Sequence, residues 1–163
     1  MYEVGIITVS DKGAAGERED KSGPMIESLL DGRRYHIASY TIVPDDPEEL
    51  KTELLRLCDN VGCDLVLTTG GTGFSPRDNT PEVTLAVATR NVPGIAEALR
   101  AYSMTITKRA MLSRAASVIR NQTLIVNLPG SPKAVKESLE YLLDTLPHGL
   151  DILTGRDGEC ARG

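Results

Sequence analysis

Short, nearly uninterrupted apolar runs alternate along the chain with segments in which apolar positions recur every three or four residues. The first pattern is that of strands buried on both faces, the second that of helices with one face on a core. Residues 3–9, 35–43 and 64–69 read as strands, and 116–127 as two short strands around Asn121 and Gln122. After a polar loop, Ser22 stands as cap of a helix with Pro24 in its first turn and Met25, Ile26, Leu29 and Leu30 inside, ending near Gly32. Asp46 and Pro47 form an N-cap and first helical residue, with Leu50, Leu54, Leu57 and Val61 at helical spacing behind them. Thr80 and Pro81 restart a helix through Thr89, and residues 95–102 make another. Ser131 and Pro132 open a helix whose Val135, Leu139, Leu142 and Leu143 face the core, and His148 stands near the start of a last one. Strands alternating with helices predict an α/β fold with a mostly parallel sheet.

The 163 residues, 40% of them hydrophobic, suit one compact domain over residues 1–153, and the composition of 154–163 is that of a frayed tail. The 18 basic and 23 acidic side chains give a net charge of -5, so no broad basic surface for a nucleic-acid backbone is expected. Five tyrosines, Phe74 and no tryptophan also argue against a stacking platform for bases. Cys58, Cys63 and Cys160 lack the spacing and the nearby histidine of a zinc site and read as reduced thiols. The first residues carry Glu3, no basic leader and no long apolar run, so a cytoplasmic protein without a membrane span is expected.

Three strands run directly into small polar loops: Thr8-Val9-Ser10-Asp11, then Thr68 to Gly73, then Asn127 to Ser131. In a parallel sheet such loops share the carboxyl edge, where open α/β folds bind ligands. The loop Val43 to Pro47 joins them if its strand is parallel too. Glycines at 70, 71 and 73 leave room for backbone N–H groups to approach an anion, phosphate above all; they equally suit a tight turn that needs positive φ. Neither a Walker loop nor a dinucleotide fingerprint fits, since no Gly-Lys-Ser/Thr follows and Pro76 stands where the latter needs glycine.

Asp11, Asp45, Asp46 and Asp78 lie in or beside these loops. Bare carboxylates repel phosphate, so an acidic phosphate site implies Mg²⁺ and a metal-assisted phosphoryl or nucleotidyl transfer. Asp46 beside Pro47 is better read as a cap, and capping competes for Asp11, which leaves Asp45 and Asp78 as the candidates for chemistry. Arg77 either grips a phosphate or pairs with the acid next to it, and Arg114 is similarly open. His36 and His148 have no partner at suggestive spacing, and the serines lack a nucleophile-elbow setting.

The segments GIITVSD, DKSGP, TTGGTGFSPRDNTPE, VPGIAEALR, LSRAASVIR and NLPGSP, in this order over about residues 3–153, resemble the molybdopterin adenylyltransferases of molybdenum cofactor biosynthesis, including the related domain of gephyrin. The resemblance implies a three-layer α/β/α domain, a homotrimer, and transfer of AMP from Mg-ATP to the terminal phosphate of molybdopterin with release of pyrophosphate. It further implies that Gly70, Gly71, Thr72 and Gly73 bind nucleotide or pterin phosphate, and that Asp45 and Asp78 are the catalytic, Mg²⁺-linked acids. Ser10, Asp11, Asn127, Pro129, Gly130 and Ser131 would line the pocket, with Thr80 and Glu82 beside it. Transient contact with other enzymes of cofactor biosynthesis belongs to the same expectation. A non-catalytic molybdopterin carrier of the same family is the alternative, and an assembly scaffold a third reading.

Overall fold

The computed structural model describes residues 1–156. In chain order its elements are β1 (Tyr2–Val9), α1 (Asp11–Ala14), α2 (Ser22–Leu29), β2 (Tyr35–Val43), α3 (Pro47–Leu55), β3 (Leu65–Thr69), α4 (Thr80–Ala86), β4 (Arg90–Asn91), α5 (Pro93–Met104), β5 (Ser117–Arg120), β6 (Thr123–Leu128), α6 (Pro132–Leu143) and α7 (Leu146–Thr154). The sheet order is β2-β1-β3-β6-β5-β4. β2, β1, β3 and β6 are mutually parallel, while β5 runs antiparallel to both its neighbours. Val9 pairs with Val43, Thr8 with Thr69, and Thr69 with Leu128, so the loops after all four parallel strands leave the sheet side by side.

Two apolar layers sandwich the sheet. On one face Val4, Ile6, Leu65, Leu67 and Val126 pack against Ile26 and Leu30 from the α2 region, Leu99 of α5, Val135 and Leu139 of α6, and Leu150 of α7. On the other, Ile7, Val66 and Ile125 meet Leu50 and Leu54 of α3 and Val83 of α4. Alternate side chains of each inner strand therefore serve opposite cores, which is why these strands read as continuous apolar runs. This is the three-layer α/β/α arrangement.

Several local expectations are refined. Asp46 does cap α3, accepting from the N–H groups of Glu48 and Glu49, and Ser131 caps α6 through Ala134 N–H at 3.2 Å. Ser22 is not the cap of α2: Asp20 accepts from Ser22 and Gly23 N–H at 3.0 and 3.3 Å instead, and the helix ends at Leu29. Val61 is exposed rather than buried because α3 passes into a π-helical turn over Arg56–Val61, whose wider winding rotates it off the apolar face. α4 stops at Ala86, short of Thr89. Short elements without apolar periodicity, α1, β4 and a 3₁₀ turn over Lys108–Leu112, were not foreseeable from the pattern.

Of the tail expected from Thr154, Thr154 closes α7, and Arg156 lies 5.0 Å over the Tyr2 ring and 3.1 Å from Asp64. Those residues belong to the folded domain; residues 157–163, with Cys160, lie outside the described part. Among the described residues no helix is long and apolar enough to cross a membrane. Cys58 and Cys63 are unbridged, and burial pushes their thiols up to about 11 and about 12. Both are protonated and unreactive at neutral pH.

Candidate active site

A crevice of about 640 Å³ opens where the four parallel strands end. Its lining contains Ser10, Asp45, Gly70, Gly71, Asp78, Gly130 and Ser131 from the expected set. β2 being parallel to β1 is what brings Asp45 to this edge.

The floor is glycine against glycine. Gly70 has φ +97°, and a Cβ there would lie 2.4 Å from the carbonyl oxygen of Val9. Gly71 has φ +69°, and its Cβ would meet Thr80 Oγ1 at 2.2 Å. The loop is thus a turn requiring positive φ at Gly70 and Gly71, and its bare backbone there faces the crevice. Thr69 Oγ1 donates to Pro129 O at 2.5 Å and Ser22 Oγ to Gly130 O at 2.7 Å, tying the second glycine loop to β3 and α2. The N–H groups of Gly71, Gly130 and Ser131, all from crevice residues, find no protein acceptor among the described residues. Such donors are what an anion uses.

Asp11 and Asp45 clasp each other reciprocally, each backbone N–H donating to the other's carboxylate at 2.9 Å. Arg77 pairs with Asp11 and not with its neighbour Asp78, through Nε at 2.5 Å and Nη2 at 2.9 Å. The Arg77 guanidinium, with the Asp45 N–H, holds the Asp11 carboxyl below its ordinary range. Asp45 goes the other way. Burial raises it, the Asp11 N–H opposes, and the charges of Asp11 and Asp78 add to the rise. Asp78 accepts from Ser75 N–H at 3.1 Å through Oδ2. Asp45 Oδ1 and Asp78 Oδ1 therefore remain unpartnered by protein donors among the described residues. Two hard carboxylate oxygens free of protein donors among the described residues suit Mg²⁺ that arrives on a phosphate substrate, since this ion keeps waters and uses few protein ligands.

The remaining expected residues divide into two groups. Thr72, Gly73, Asn127 and Pro129 line a second, largely apolar hollow of about 320 Å³ beside α5 and the 3₁₀ turn, together with Leu99, Ser103 and Leu112. Asn127 is buried there with its amide engaged, donating to Thr68 and Thr84 at 2.9 Å and accepting from Ala116 N–H at 3.1 Å. Thr80 is fully buried under Gly71 with no partner for its hydroxyl, and Glu82 pairs with Arg114. Arg114 is the brace of the loop, donating to Gly73 O and Asp78 O at 2.8 Å each.

Sequence reasoning gave no site role to Arg18, Glu19, Asp20, Lys21 and Ser22 on the crevice wall, whereas Thr8 and Thr69 there belong to the loops expected at this edge. Asp20 is half-buried and accepts on both oxygens: Ser22 and Gly23 N–H on one, Thr8 Oγ1 at 2.7 Å and the Tyr40 hydroxyl on the other. Burial works against its charge, but these donors outweigh it and hold the carboxyl below its ordinary range. Its position at the head of DKSGP was the available signal.

Fold and crevice define a class: a three-layer α/β domain with an open crevice at the carboxyl edge of a parallel sheet, the edge where such folds bind ligands. Within that class, the chain belongs to the family described as the probable molybdopterin binding domain, whose model matches residues 5–148. A Helicobacter pylori J99 protein named molybdopterin adenylyltransferase is 40% identical over 157 residues, 93% of this chain and 88% of its own. An Escherichia coli K12 protein of the same name is 42% identical over 144 residues, 86% and 73% of the two chains. The crystal structure of the molybdopterin biosynthesis enzyme MoaB from Thermus thermophilus superposes with a TM-score of 0.90 at 49% identity, over 95% of this chain and 98% of that one.

Proposed function

We propose that the protein is a molybdopterin adenylyltransferase. An oxygen of the molybdopterin phosphate bonds to the α-phosphorus of Mg-ATP, the bond from that phosphorus to the β-bridging oxygen breaks, and the electron pair leaves with pyrophosphate. The observation that carries this reading is the pairing of two sites across one glycine loop. The polar crevice has free N–H groups and, in Asp45 and Asp78, two acids beside the glycine loop, and the apolar hollow has the character that a flat, largely uncharged ring system requires. Gly70 and Gly71 face the former, Thr72 and Gly73 the latter, so a phosphate over this loop can join substrates held on either side.

Asp45 and Asp78 would hold the magnesium that ATP brings, which offsets charge on the reacting phosphates. The acceptor phosphate is already ionised at neutral pH, so no protein base is needed. The chain's contribution is orientation: Asp11 fixes Asp45, and Arg114 fixes Gly73 and Asp78. The family resemblance further supports a homotrimer and transient contacts with other cofactor-biosynthesis enzymes, and the unbridged thiols support a reducing, cytoplasmic setting.

The test is incubation with molybdopterin and Mg-ATP, reading adenylyl-molybdopterin by mass spectrometry and pyrophosphate release in parallel. Asp78→Asn should remove most turnover with the fold retained by circular dichroism. Tight pterin binding without product in the unaltered protein would overturn the reading in favour of a carrier.

A further inference from the structure

The two hollows define a direction for the reaction. The apolar one lies over β6 and β5, against α5, while the crevice extends to the β1 side, where the α1–α2 connection forms its wall. The division falls inside the loops themselves, between Gly71 and Thr72 and between Pro129 and Gly130. Displacement at phosphorus is in line, so a nucleophile arriving from the β5 side expels its leaving group toward the β1 side. On that wall stand Arg18 and Lys21, exposed cations with no ion pair among the described residues.

The rest of the crevice offers a polyanion little other positive charge. Arg77 is committed to Asp11, and Arg114 to Glu82 and the loop carbonyls. The N-terminus of α2, which would otherwise present N–H groups to an anion, is already filled by Asp20. Asp45 and Asp78 lead into α3 and α4 on one face of the sheet, whereas Arg18 and Lys21 precede α2 on the other. Asp45 and Asp78 and the two free cations thus occupy opposite layers of one crevice; of the acids that share the cations' wall, Glu19 is exposed and Asp20 is engaged by the donors of Ser22, Gly23, Thr8 and Tyr40.

We propose that Arg18 and Lys21 hold the pyrophosphate that leaves in adenylyl transfer, an assignment that rests on the reaction proposed above. As the bond between the α-phosphorus and the bridging oxygen breaks, the electron pair and the growing charge pass to pyrophosphate, and the two side chains receive it from the rim.

Calorimetric titration of the full chain with magnesium pyrophosphate, and separately with AMP, tests this on Arg18→Met, Lys21→Met and the double variant. Each single change should weaken pyrophosphate about tenfold and the pair about a hundredfold, the scale of one charge-assisted contact apiece. AMP binding should shift less than about twofold, since one phosphate over the glycine loop does not reach the rim. Steady-state assays should show the KM for Mg-ATP rising and product inhibition by pyrophosphate weakening together. Unchanged pyrophosphate binding, or an equal loss for AMP, overturns the assignment. If the unaltered protein forms no adenylyl product yet binds pyrophosphate in a way that needs both cations, the polyphosphate site stands and the transfer reaction falls. If the double variant turns over and is inhibited by pyrophosphate as the unaltered protein is, the reverse holds.

Discussion

Replacing Gly71 with alanine measures how closely the glycine loop is fitted to the helix behind it. The residue lies at φ +69°, and a Cβ would stand 2.2 Å from Thr80 Oγ1 and 3.5 Å from Asp45 Oδ1. Left-handed backbone costs a residue with a Cβ about 1–2 kcal/mol, and forcing a carbon into a filled interior costs about 1–3 kcal/mol. Thr80 is fully buried and cannot swing aside, so Gly71→Ala is expected to lose about 2–5 kcal/mol of a stability of about 5–15 kcal/mol. Thr80→Ala alone should change stability by less than about 1 kcal/mol, because the lost methyl is offset by removing a buried hydroxyl that has no partner. With both changes the clashing atom is gone, and about 1–3 kcal/mol should return, leaving the backbone cost. The chain has no tryptophan, so urea unfolding is best followed by far-UV circular dichroism, at one protein concentration to keep any association constant. Effects that add within about 0.5 kcal/mol would refute the reasoning. Gly70→Ala is the contrast: its Cβ would meet the backbone oxygen of Val9 at 2.4 Å, a clash that Thr80→Ala cannot relieve.

Arg114→Met should lower kcat/KM at least about tenfold and stability by about 2 kcal/mol, and Arg114→Lys should not restore either, because one ammonium cannot replace a planar fork that reaches Gly73 O, Asp78 O and Glu82 at once. Asp45→Asn should abolish turnover yet raise the thermal midpoint of the ligand-free protein at neutral pH. The Asp45 carboxyl is raised in the fold above its ordinary 3.8, so the native state binds the extra proton, and stability falls as pH rises from that value through the folded one. Melting curves of both proteins should converge below pH 3.8; a lower midpoint for the variant at pH 7 would count against burial as the cause. By the same ionisation, kcat/KM for Mg-ATP should rise with pH across that interval, since only the carboxylate holds the cation. Tyr2→Phe, at the far edge of the sheet, should cost about 1–2 kcal/mol by removing the hydroxyl's bonds to Asp151 at 2.6 Å and Pro147 O, with kcat unchanged.

What the amino-acid sequence reveals about this domain follows from how far apart the cooperating residues stand. The strands, the caps Asp46 and Ser131, and the convergence of the loops depend on neighbours within a few residues or on the period of one element, and those are legible directly. The π-helical turn hides from the same logic, because it changes the period within an apolar helix and displaces Val61. Arg77 illustrates the longer-range limit: adjacency points to Asp78, yet its partner is Asp11, 66 positions away, brought close only when β1 and β3 pair and their loops meet. Arg114 reaches Glu82 across 32 positions because β6 pairs with both β3 and β5, which brings the segment before β5 beside the loop after β3. The expected site residues likewise lie near one loop but on two sides of it, since backbone that crosses a sheet edge presents consecutive residues to different hollows. A motif therefore identifies which residues stand near the candidate site, whereas the side of the loop each one faces emerges only from the folded sheet edge.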